Sequence, residues 1–83
     1  MRHARAEDLE PLEGLLAGVR ELPDLTERSP GTFYRRSNAF LHFHVDPAGL
    51  FADLKLDGEF QRFRVSTKKE QQSLLTKARR ALQ

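Results

Sequence analysis

The sequence predicts an α+β domain: an N-terminal helix, a four-stranded antiparallel meander and a C-terminal helix, with both helices packed on one face of the sheet. Three observations carry this reading. Leucines recur at helical spacing ahead of Pro23, turn signals divide the middle of the chain into short aromatic-rich runs, and a capping box opens a second amphipathic stretch. At 83 residues there is room for one domain with a small core.

The first helix is expected over about 8–22. Leu9, Leu12, Leu15, Leu16, Val19 and Leu22 fall on one face at three- and four-residue intervals. Asp8 is a candidate N-cap, Pro11 sits in the first turn where its missing N–H costs nothing, and Pro23 ends the helix. Gly14 and Gly18 flank the stripe and allow a close neighbour; a membrane reading of their spacing fails because Glu13, Arg20 and Glu21 share the helix. Residues 23–32, with two prolines and a glycine, read as a loop.

Strands are expected at about 33–36, 39–45, 50–56 and 59–65, separated by Ser37-Asn38, by "DPAG" at 46–49 and by Asp57-Gly58. The second helix is expected over about 68–82. Thr67 and Glu70 form its capping box, Leu74, Leu75, Ala78 and Leu82 its apolar stripe, and Lys77, Arg79 and Arg80 favour the negative end of its dipole.

The turns also fix which residues share a face. Val45 should oppose Leu50, Phe43 oppose Ala52, and Leu41 oppose Leu54; with Phe63, Val65, Tyr34 and Leu56 these make the inward layer. The outward layer is then Phe33, Arg35, Phe40, His42, His44, Phe51, Asp53, Lys55, Phe60, Arg62 and Arg64. Four phenylalanines and four cations around one acid are unusual for a sheet face meeting water, so this face is expected to have a partner. An alternative is that residues 23–32 fold over it, with Leu25 as the plug.

Composition narrows the functions. The absence of cysteine excludes disulfides, thiolate chemistry and cysteine-ligated metal. The N-terminus has no secretory apolar core and "GLLAGV" is too short to span a bilayer, so a cytoplasmic, membrane-free protein is expected. Charge is uneven: residues 1–30 carry −3 and residues 31–83 carry +5.

The leading reading is a small non-enzymatic interaction module, partnered by itself as a homodimer or by another protein, through the outer face. The second is single-stranded nucleic acid, with Phe40, Phe51 and Phe60 stacking bases while Arg35, Lys55, Arg62 and Arg64 follow phosphates. The third is a metal or acid–base site, for which His42, His44 and Asp53 are the candidate ligands and His3 a possible fourth. Against it, Arg62 is expected to claim Asp53, and no hydroxyl nucleophile is expected on the face. No cofactor is expected.

Overall fold

A computed structural model describes residues 2–83, apart from the side chains of Arg2, His3 and Ala6. The central strands are β4 (Asn38–Asp46), β5 (Gly49–Leu56) and β6 (Glu59–Arg64). Their registers follow from their turns. Asp57 and Gly58 both take positive φ, 52° and 83°, as a type I′ turn requires, and Leu56 then pairs with Glu59. The expected pairs Leu41–Leu54, His42–Asp53, Phe43–Ala52, His44–Phe51 and Val45–Leu50 all form. So do Ala52–Phe63, Asp53–Arg62, Phe51–Arg64 and Lys55–Phe60. The ladder continues to Asp46–Gly49, leaving only Pro47-Ala48 between the strands, where the Ala48 N–H donates to Asp46 Oδ1 at 2.9 Å.

The other half of the sheet departs from expectation. Residues 23–32 are not a plain loop: Leu25–Ser29 forms β2, hydrogen-bonded to β3 (Thr32–Arg35) across Pro30-Gly31, with Gly31 at φ 77°. Proline followed by a positive-φ glycine is the demand of a tight turn, and Glu27 anchors the hairpin by accepting from Gly31 N–H at 3.0 Å and from Arg20 Nε at 2.7 Å. β2 therefore widens the sheet beside β3, and Leu25 packs against the rim of the core instead of plugging the outer face.

The turn between β3 and β4 is Arg36-Ser37, with Arg36 at φ 59°, not Ser37-Asn38. Arg35 pairs with Asn38 and Tyr34 with Ala39; a bulge at Phe40 then gives Phe33–Leu41 and Thr32–His42. At the turn that is two residues away from the expected Arg35–Phe40 pairing; beyond the bulge it is one residue away from Phe33–His42, and a one-residue slip exchanges the two faces. The five strands β2 to β6 form an antiparallel meander in sequence order, and a two-residue strand, β1 (Arg2–His3), pairs with β4 at Val45 and His44. β3 and β1 thus share one edge of the long strand β4.

The first helix is also divided. A 3-10 helix spans Ala6–Leu12, with Arg5 rather than Asp8 at its N-cap and the Asp8 carboxylate accepting the Arg5 N–H at 2.9 Å. Pro11 lies inside this segment, and α1 follows over Glu13–Arg20. The second helix, α2 (Lys68–Ala81), starts as expected: Thr67 Oγ1 accepts from Glu70 N–H at 3.1 Å and Glu70 Oε1 accepts from Thr67 N–H at 3.0 Å.

One buried cluster joins Leu9, Leu12, Leu15, Leu16 and Val19 to Leu41, Phe43, Ala52, Leu54 and Val65 of the sheet region and to Leu74, Leu75, Ala78 and Leu82. Gly18 is where the helices approach: a Cβ there would stand 2.8 Å from Leu75 Cδ2.

Candidate functional site

The outer face inherits its residues from the β4–β5–β6 registers. His42 and His44 stand two apart on β4, Asp53 crosses from β5 and Arg62 follows on β6, so alternation alone puts all four on one side. The structure then draws them into contact. Arg62 donates from Nε to Asp53 Oδ1 at 2.7 Å and from Nη2 to Oδ2 at 2.8 Å, a two-pronged pairing that fixes the carboxylate plane. His44 Nε2 lies 2.8 Å from the same Oδ2, and His42 Nδ1 lies 2.9 Å from His44 Nε2 and 3.9 Å from Oδ2.

The cluster is part of the folded body, not a fringe of solvated side chains. His44 and Asp53 are 8% and 7% exposed, the only buried polar residues among those described. Phe60 sets its ring edge-on against His42, with centroids 4.8 Å apart, and Lys55 Nζ stands 5.0 Å above the same phenylalanine. The Arg62 guanidinium holds the Asp53 carboxyl below the usual carboxylate range, outweighing burial, and the neighbouring His44 and His42 add to the effect.

No family model, no curated protein and no solved structure matches the chain. The site must therefore be read from its own chemistry.

Several expected members of the face are elsewhere. Phe33 and Phe40, at 1% and 4% exposure, belong to the core, the first through the shifted register and the second through the bulge. Arg35 reaches the end of α2, where its Nη1 donates to the Ala81 carbonyl at 3.5 Å. Tyr34, expected inward, is half-buried and carries the Arg28 guanidinium 4.2 Å above its ring. Phe51 is half-buried and Phe60 is the one exposed large hydrophobic side chain among the described residues, at 42%. Arg62 and Arg64 remain exposed.

The same slip brings in a residue the sequence reading missed. Thr32 pairs with His42, so a hydroxyl-bearing residue does share the face. The arrangement is still unlike a catalytic triad, because His44, not His42, makes the close contact with Asp53. The backbone register sets His3 beside His44, while its side chain lies outside the described residues.

A separate open concavity of about 770 Å³ lies where the β3–β4 and β5–β6 turns meet the end of α2. Arg35, Arg36, Lys55 and Arg80 line it, against Asp57 as the one acid in its wall. Among the described residues, no helix is long and apolar enough to cross a membrane.

Proposed function

We propose that the protein is a small non-enzymatic interaction module that pairs with a second copy of itself along the edge of β6, with both helices committed to the opposite face. The observation that carries this reading is the exposure of β6. It is the last strand of the sheet, it contains neither proline nor glycine, and every residue but Phe63 is exposed, including Phe60. An uncovered edge strand is a template for another strand.

The ladder says which groups are offered. Val65 N–H donates to the Leu50 carbonyl at 2.8 Å, so in the antiparallel alternation Phe63, Gln61 and Glu59 are bonded to β5. The N–H and C=O groups of Phe60, Arg62 and Arg64 then point to the free edge. A two-fold axis through Gln61 pairs Phe60 of each copy with Arg62 of the other on the same face, a cation beside an aromatic ring, twice. That ring already accepts Lys55 within one chain.

Binding of single-stranded nucleic acid is the second reading, favoured by the four cations around the concavity and by exposed Phe60, Arg62 and Arg64. Loss of Phe40 to the core removes one of the three expected stacking rings and weakens it.

Sedimentation equilibrium in about 0.15 M salt, an ionic strength that screens loose charge contacts, decides between them. A wild-type dimer that becomes monomeric in Phe60→Glu, with unchanged far-UV circular dichroism, supports the module. A wild-type monomer overturns self-pairing, and steeply salt-dependent binding of a labelled oligothymidine would then move the assignment to nucleic acid.

A further inference from the structure

We infer that His42 Nδ1, His44 Nε2 and Asp53 Oδ2 form a binding site for a divalent first-row transition ion of the zinc class. The proposal stands independently of self-pairing through β6.

The three atoms are separated by 2.9, 2.8 and 3.9 Å, and a triangle with those sides has a circumradius of about 2.0 Å. Bonds from zinc to imidazole nitrogen or carboxylate oxygen are ~2.0–2.2 Å long. An ion placed slightly above the plane of the three atoms therefore reaches all of them with no change in their positions. Around an ion so placed, His42 Nδ1 and Asp53 Oδ2 stand nearly opposite each other with His44 Nε2 at about 90° to both, a three-ligand set that leaves further positions of the ion open.

One proton between the two imidazoles serves one of these contacts at a time. At His44 Nε2 the directions to His42 Nδ1 and Asp53 Oδ2 diverge by about 86°, so one N–H cannot point at both. If Nε2 carries the proton and donates to Asp53, His42 Nδ1 faces it off-axis. If His42 Nδ1 carries the proton instead and donates to His44 Nε2, the carboxylate at 2.8 Å meets nitrogen without a hydrogen. A cation satisfies all three acceptors at once, with each imidazole proton kept on the ring's other nitrogen.

Arg62 is the competitor. Its charge opposes a cation, and its Nη2 contact to Oδ2 must be given up when the ion takes that oxygen. Its Nε bond to Oδ1 uses the other oxygen and can persist, orienting the carboxylate from behind as outer partners of metal ligands do. The Arg62 side chain is exposed, whereas His44 and Asp53 are buried in the sheet.

The test is calorimetric titration of chelator-treated protein with zinc chloride at neutral pH. One ion per chain is expected, with binding weakened at least about 10-fold in His42→Gln and in His44→Gln, the usual range for disturbing a metal's ligand set. Arg62→Met removes a repelling charge and the competing Nη2 contact to Oδ2, and should tighten binding by about 10-fold; a roughly 10-fold weakening would instead mark Arg62 as a support of the carboxylate. His42 is only part-buried, so His42→Gln keeps the test alive if the His44 variant fails to fold. No binding by either wild type or Arg62→Met, or an affinity unmoved by His42→Gln, would overturn the site.

Discussion

The two halves of the sheet obey the same alternation rule, yet only one of them was legible in the sequence. Between β4, β5 and β6 the expected pairs from Leu41–Leu54 to Val45–Leu50 and from Phe51–Arg64 to Lys55–Phe60 are present, and only Phe40, expected opposite Lys55, leaves the ladder. Between β3 and β4 the register is displaced by two residues at the turn and by one beyond the bulge, and two phenylalanines expected on the outer face lie in the core. The difference lies in the turns. Asp57-Gly58 can adopt positive φ twice at little cost, so its chemistry names its own geometry. Arg36 adopts φ 59° without such licence, since a side chain in that region costs ~1–2 kcal/mol. A turn held against local preference leaves no local signal. The interior supplies the reason: the slip takes Phe33 out of water and the bulge takes Phe40, and burying two phenylalanines outweighs one strained residue.

That comparison can be broken most sharply at the phenylalanines. Phe33→Ala should cost about 3–5 kcal/mol of unfolding free energy, because it empties a packed site. Phe60→Ala should cost under about 1 kcal/mol in dilute, monomeric protein. Urea titrations of the two variants measure the gap; near-equal losses would restore the register first expected.

A smaller effect belongs to the well-behaved half. Asp53 has its folded-state pKa lowered, chiefly by Arg62, so its contribution is present at neutral pH and is lost as the pH falls below about 4 and through the folded-state value. The urea midpoint should fall on that acid limb, and Asp53→Asn should flatten this part of the profile while lowering stability at pH 7.

The smallest effect sharpens the comparison from the other side. Arg36→Gly removes the positive-φ penalty and should raise stability by about 0.5 kcal/mol, after the flexibility that glycine adds to the unfolded chain is subtracted. A thermal melt reads the sign.

The candidate site was largely written in the sequence because His42, His44, Asp53 and Arg62 all lie on strands whose turns are unambiguous. What alternation cannot supply is atomic approach: it puts four side chains on one face without showing that three donor atoms converge on a common centre. Thr32 escaped notice because its place depends on the bulge at Phe40. β2 is hidden because Pro30-Gly31 reads equally as a break in structure and as the signature of a hairpin turn. The 3-10 segment before α1 has the same leucine spacing as a regular helix, and spacing does not distinguish them.

The contact of Gly18 with Leu75 bears on how the molecule comes apart. Each hairpin of the meander joins strands that are close in sequence, whereas this contact spans most of the chain and carries a larger loop-closure entropy than any hairpin. Neither helix has a core to bury against except the one they share with the sheet. Loosening either helix therefore uncovers apolar surface of the other, which couples the opening of one to that of the other.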